Sequence, residues 1–240
     1  MKKTILLCFT IAMSTISFSQ TALENIIKKG QDQMKNNSGN SISNDEVVNG
    51  LKEALTVGSN KSSTQASKAD GFYKNIAIKI PFPPEAKQME STLKGIGMTK
   101  QIDNFTMQLN RAAEMAAKDA APIFVNAIKS MSIADGFTIL KGANNAASTY
   151  LKDKTNAELT AKFKPIVASA LKKVAITKYW NPLVTTYNKV PGSKKKNPNL
   201  EDYVTQRAIE GLFKLVADEE LKIRKDPASR ISDLLKKVFD

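Results

Sequence analysis

Residues 102–117, Ile102-Asp103-Asn104-Phe105-Thr106-Met107-Gln108-Leu109-Asn110-Arg111-Ala112-Ala113-Glu114-Met115-Ala116-Ala117, carry the period that decides the fold. Ile102, Phe105, Leu109, Ala112 and Ala116 recur at three- and four-residue steps, which sets them on one face of a helix. Alanine along the second half of that face permits close approach of a neighbouring helix. The stretch reads as the spine of an all-α protein.

Everything downstream of Pro84 keeps the helical period. Ala86, Met89, Leu93 and Ile96 form one face, and Pro122 suits the first turn of a helix carrying Ile123, Phe124, Ala127, Ile128 and Met131. Ser132 and Asp135 open another helix, closed by Gly142. Thr155 and Glu158 read as a capping box before Leu159, Phe163, Ile166, Ala170 and Val174, with a kink or two abutting helices predicted at Pro165. Tyr179 to Leu183 reads as a helix junction, and Pro191 to Pro198 as an exposed loop. Val204, Ala208, Leu212, Leu215 and Val216 mark a long helix, and Asp226-Pro227 starts the last one.

Upstream, Ser43 and Glu46 form a capping box ahead of Val47, Val48, Leu51, Ala54 and Leu55. Gly58 predicts the stop of that helix, and Asn60 to Asp70 a polar loop. Ile76, Ile78 and Ile80 alternate as a strand would, but Pro81, Pro83 and Pro84 end the run and no second strand is available. A lone strand is unstable in water, so the segment near 76–83 is expected to be extended and pinned against helices. The fold class is therefore all-α, a single multi-helix domain forming an irregular bundle, with one short extended segment.

The first residues predict export. Lys2 and Lys3 precede a mostly apolar run of fourteen residues, Ile5 to Phe18, too short for a span of about 20. Small residues at Ser17 and Ser19 place cleavage between Ser19 and Gln20. The expected organisation is a signal peptide at 1–19, an N-terminal helix or flexible lead at 20–43 and one helical domain at 44–240. The mature chain would be periplasmic or secreted, with no transmembrane span.

Cleavage removes the only cysteine, Cys8, and the sequence has no histidine. Thiol nucleophiles, imidazole bases, Ser-His-Asp triads, zinc sites and disulfides are thereby excluded from the mature chain. The acidic clusters lack the loop spacing of a calcium site, and no Gly-rich phosphate loop is present, so neither metal nor cofactor is expected. The formal net charge of +13 falls by two, to +11, when Lys2 and Lys3 leave. That charge suits anionic headgroups or an acidic partner. Nucleic acid is not expected, because the basic residues are not interleaved with aromatic ones.

Three groups of residues are candidates for binding. Asn110, Arg111 and Glu114 share one turn of the Ala-rich helix, either as a grip on an anionic or hydrogen-bonding ligand or as a network fixing helix register. Gln206, Arg207 and Glu210 form a similar turn further on, with Tyr203 one turn before Arg207. Lys194, Lys195 and Lys196 make a compact positive run, either a contact for an anionic surface or a solvated loop. No residue is assigned a catalytic role. The adjacent carboxylates Glu219 and Glu220 point different ways on a helix, unlike the facing pair that a glycosidase needs.

The chain resembles a bacterial exported family catalogued as domain of unknown function 4197. The resemblance runs through Gly50-Leu51-Lys52-Glu53-Ala54-Leu55, Ile80-Pro81-Phe82-Pro83, Asn110-Arg111-Ala112-Ala113-Glu114 and Phe124-Val125-Asn126-Ala127-Ile128. It continues through Ser132-Ile133-Ala134-Asp135, Tyr203-Val204-Thr205-Gln206, Gly211-Leu212-Phe213 and Asp233 to Phe239, covering about Asp45 to Asp240. The family pattern has Asp where this chain has Asn126, and commonly Ala at Gly136. The resemblance implies an exported helical protein and brings no catalytic residues with it. The leading expectation for function is a non-enzymatic envelope protein that holds a lipid-like or amphipathic ligand in an inter-helix groove. A periplasmic interaction or scaffolding module with a basic surface for an acidic partner is the alternative, and a carboxylate-dependent hydrolase the third reading.

Overall fold

The apolar faces read above meet around one helix. In the computed structural model, which describes residues 43–194 and 198–230 together with 232, 233, 236 and 238, eight α-helices are seen among the described residues and no β-strand. They are α1 (Asn44–Ser67), α2 (Lys87–Gly95), α3 (Thr99–Ala117), α4 (Ala120–Lys129), α5 (Ile133–Leu140), α6 (Ala146–Lys173), α7 (Ile176–Tyr187) and α8 (Leu200–Lys225). Single 3₁₀ turns at Pro84–Ala86 and Pro227–Ser229 complete the set. The expected signal peptide, all but the end of the lead at 20–43, and Lys195 and Lys196 lie outside the described residues.

Helix α3 is the hub, lying against α1, α2, α4, α6, α7 and α8. Its predicted face is buried throughout: Ile102, Phe105, Leu109, Ala112, Ala113 and Ala116 are shielded from solvent. At one end Phe105 meets Phe82 and Trp180, with ring centroids 5.3 and 4.9 Å away, an aromatic cluster that joins α3, α7 and the segment before α2. No single helix among the described residues is long and apolar enough to cross a membrane.

Several local expectations are corrected. Gly58 does not end α1, which runs on to Ser67. The glycine is buried inside the helix, where a Cβ would make an ordinary contact of 3.5 Å with the Cβ of Glu219 on α8. Ser62, Ser63 and Ala66, read as part of a loop, form with Ser59 a buried small-residue face of the helix, and α1 packs on α3 and α8. Thr155 is no N-cap: it lies inside α6 and donates its hydroxyl to the Leu151 carbonyl at 2.6 Å. Pro165 does not divide α6, and the α6–α7 junction falls at Ala175, in the left-handed region at φ 51°, rather than at Tyr179 to Leu183. The Ser132–Asp135 capping box forms as read, with both reciprocal hydrogen bonds present. At Gly136 a Cβ would come within 2.7 Å of Val48 Cγ2, so the alanine of the family pattern would require Val48 to move.

The segment after α1 is not one extended strip. Ile78 and Ile80 are buried as expected, whereas Ile76 is 96% exposed. A turn explains the reversal: the Asn75 carbonyl accepts from Ile78 and Lys79, and the Asn75 side chain accepts from the Ala77 amide at 3.1 Å. That turn swings Ile76 outward while its neighbours stay anchored.

The hydroxyls of Ser59, Ser62 and Ser63 find no hydrogen-bond partner among the described residues, so small volume is what these positions supply. Ser62→Ala is expected to leave stability unchanged or raise it by up to about 1 kcal/mol. Ser62→Leu should lower it by about 1–3 kcal/mol through overpacking. Urea unfolding midpoints of the two variants decide the point, and equal midpoints would contradict it.

Candidate functional site

The polar residues of α3 face inward, onto the segment that leaves α1. Asn110 is fully buried and holds Ile80 by both backbone groups: its Oδ1 accepts from the Ile80 amide at 2.8 Å and its Nδ2 donates to the Ile80 carbonyl at 2.8 Å. One side-chain amide thus does for a lone extended residue what a neighbouring strand would do. Glu114, 4% exposed, accepts from the amides of Phe72 and Tyr73 through Oε1, each at 3.1 Å. Its other oxygen takes Arg111 Nη1 at 2.7 Å. Arg111 also donates to Asp70 Oδ1 at 2.6 Å, and Lys74 pairs with Asp70 at 2.8 Å. Asp70 sits at φ 67°, a left-handed conformation that aspartate tolerates better than most residues.

Helix α8 completes the hold. Tyr203 donates its hydroxyl to the Pro81 carbonyl at 3.0 Å, and burial pushes that phenol up to about 12. Gly211 leaves room for the loop, since a Cβ there would meet Phe72 Cε1 at 2.8 Å. The first candidate group is therefore occupied by its own chain.

A second carboxylate repeats the arrangement. Glu220 accepts from the amides of Ala147 and Ser148 at 2.9 and 2.8 Å, capping the start of α6 from another helix. Arg224 pairs with Glu220 at 2.8 Å and donates to the Ile139 and Leu140 carbonyls at the end of α5. Glu219 turns the other way, to Lys61 at 2.8 Å and Lys222 at 2.5 Å. Burial pushes the Glu219 carboxyl up, but those two lysines outweigh it and leave the group below its ordinary value. Hydrogen bonds from Lys74 and then Arg111 hold Asp70 below its ordinary value as well.

The second candidate group lies on the surface. Gln206 and Arg207 both donate to Glu210, at 3.1 and 2.6 Å. Gln206 and Glu210 line a groove of about 470 Å³ between α6 and α8, opposite Lys152, Asn156 and Thr160. Ile209 and Phe213 form its floor, and Thr205, 2% exposed, lines it while its hydroxyl is buried and has no partner among the described residues. Lys164 of α6 spans to Asp202 of α8 at 2.5 Å, and Asp202 lines the same groove. None of Asn110, Arg111 and Glu114 lines this groove, so the two groups do not share it. Lys194 is exposed.

Sequence reading missed the α6 wall of the groove. Its signal was present as a polar stripe at i, i+4 and i+8, Lys152, Asn156 and Thr160. The hollow between α1, α6 and α8, lined by Leu51, Leu55, Val216 and Ile223 with Glu220 and Arg224 beside them, measures only about 10 Å³, the room of one water. Among the described residues no group of three or more acidic, His or Cys side chains is placed to hold a metal ion.

Glu114→Ala is expected to cost about 1–3 kcal/mol in urea unfolding, because it leaves the buried Phe72 amide and the part-buried Tyr73 amide without their acceptor while Arg111 keeps Asp70. A loss below about 1 kcal/mol would contradict the clamp. Asp70 and Glu219 have folded values below their ordinary 3.8 and 4.5. The stability they add is therefore complete above about pH 5 and lost as pH falls through the lowered values. A urea midpoint that holds from neutral pH to about 5 and then drops fits this sign, and one that rises on acidification does not.

Residues 41–240 match the family model described as "Protein of unknown function (DUF4197)", and the chain belongs to that family. No curated protein and no solved structure matches the chain.

Proposed function

We propose that this member of the DUF4197 family is an exported, non-enzymatic envelope protein that binds a small amphipathic ligand in the groove between α6 and α8. The observation that carries the reading is the unpaired hydroxyl of Thr205, buried beneath that groove. A buried hydroxyl without a partner costs about 1–3 kcal/mol, which a valine of the same shape would avoid. A ligand that displaces the side chains covering that hydroxyl and hydrogen-bonds to it gives the cost a use.

The rest of the lining suits such a molecule. Ile209 and Phe213 offer an apolar floor, Asn156, Thr160 and Gln206 offer neutral donors and acceptors, and Glu210 is already neutralised by Arg207. Lys152 has no ion-pair partner among the described residues and favours a ligand with an anionic group at that end. The groove lacks a nucleophile paired with a base, so binding without turnover is the chemistry its residues support. The hollow between α1, α6 and α8 is too small for an acyl chain, whereas the groove of about 470 Å³ between α6 and α8 has room for part of a lipid-like ligand.

Native mass spectrometry of the protein purified from its own cells, set against its denatured mass, tests this. Extra mass released on denaturation is expected, and Thr205→Val should carry less of it, on the order of tenfold, while unfolding no earlier than the parent. A bare mass in gentle preparations, or a Thr205→Val protein that keeps its ligand in full, would sink the reading.

A further inference from the structure

The most exposed large apolar side chain of the described residues is Ile76, at 96%, at the tip of the turn that follows α1. Exposed isoleucines usually sit on mobile ends or are half covered by neighbours. This one stands on a braced support. Phe72 on one side and Ile78 and Ile80 on the other are buried, at 0, 4 and 0% exposed. The backbone between these anchors is fixed by Glu114, by Asn110 and by the turn at Asn75. A Cβ at Gly71 would collide with the carbonyl oxygens of Gln65 and Ala66, so the loop leaves α1 in tight contact with it.

The surroundings of the tip are basic. Lys68 and Lys74 line an open hollow whose edge is Ile76, and Lys79 stands over the Tyr73 ring, 4.5 Å from its centre. The one acid of that hollow, Asp70, is engaged by Arg111 and Lys74. Asp70, Arg111, Glu114 and Lys74 balance one another, which leaves Lys68 and Lys79, without an ion-pair partner among the described residues, as positive charges beside a projecting apolar group.

We infer that this loop docks the protein on an anionic lipid surface, with Ile76 entering the headgroup–acyl boundary and Lys68 and Lys79 meeting the phosphates. A single protruding side chain on a convex tip suits a deformable bilayer, whereas a folded partner would need a pocket matched to one residue. The charge is of the sign that anionic lipids attract. The rigid support means that little conformational freedom is lost on docking. The inference uses a different face from the α6–α8 groove and does not depend on it.

Flotation of the purified protein with vesicles of phosphatidylglycerol and phosphatidylethanolamine, against pure phosphatidylcholine, tests it. Binding to the anionic vesicles is expected, weakening with salt. Ile76→Ser should reduce it on the order of tenfold, as loss of one buried isoleucine implies, without changing the melting temperature. Lys79→Gln should weaken binding and flatten its salt dependence. In an Ile76→Trp protein the introduced indole should be quenched by brominated lipid, whereas Trp180, 6% exposed, should not. Flotation indifferent to Ile76→Ser, an unquenched indole, or loss of a crosslinked envelope protein in Ile76→Ser with no vesicle binding at all would each overturn the inference, the last in favour of a protein partner.

Discussion

A segment without helix or sheet can be buried only if something pairs its backbone, and in this protein buried carboxylates and one amide do so. Glu114 takes two consecutive amides, Phe72 and Tyr73, and an arginine on its own helix. Glu220 takes two more, Ala147 and Ser148, and again an arginine on its own helix. Each arginine then reaches a further group, Asp70 in one case and the α5 carbonyls in the other. The charge of each carboxylate is met by its arginine and its lone pairs by main-chain donors, which is the condition under which a buried ion is tolerated. Asn110 does the equivalent work for Ile80 without a charge.

These pairings determine where function can reside. The residues that look most chemical in the sequence, Asn110, Arg111, Glu114 and Glu220, have their polar atoms committed to the chain itself. The interior between α1, α6 and α8 is filled, apart from space for one water. What remains free is surface: the groove between α6 and α8, floored by Ile209 and Phe213, and the braced turn that exposes Ile76. The clamp that removes Glu114 from chemistry is the same one that holds that turn rigid, so scaffold and candidate docking surface rest on one set of hydrogen bonds.

Much of this was legible in the residues. The three-and-four spacing of Ile102, Phe105, Leu109, Ala112 and Ala116 gave the hub helix, and Ser132 with Asp135 gave a capping box that forms as read. The local register of Arg111 with Glu114 followed from three-residue spacing, and that of Gln206 with Glu210 from four-residue spacing. What escaped were effects that depend on a distant surface. Gly58 reads as a terminator because glycine often ends helices, yet the helix runs through it to Ser67 and is held by its packing on α3 and α8. Ser62 and Ser63 read as loop because serine is polar, yet their small size lets α1 pack closely. Thr155 with Glu158 fits a capping pattern that an uninterrupted helix ignores. The groove was half legible: Gln206 and Glu210 were marked by their own spacing, but the opposing wall on α6 becomes a site only when the two helices meet.

Native-state hydrogen exchange at the amides of Phe72, Tyr73 and Ile80 tests the central claim most directly, because these non-helical groups owe their protection to Glu114 and Asn110 alone. Exchange as slow as that of the α3 core amides, opening only in global unfolding, is the result the account predicts. Exchange at the pace of an open surface loop, while α3 remains protected, would mean that the segment is not clamped and that the buried polar residues of α3 have some other purpose.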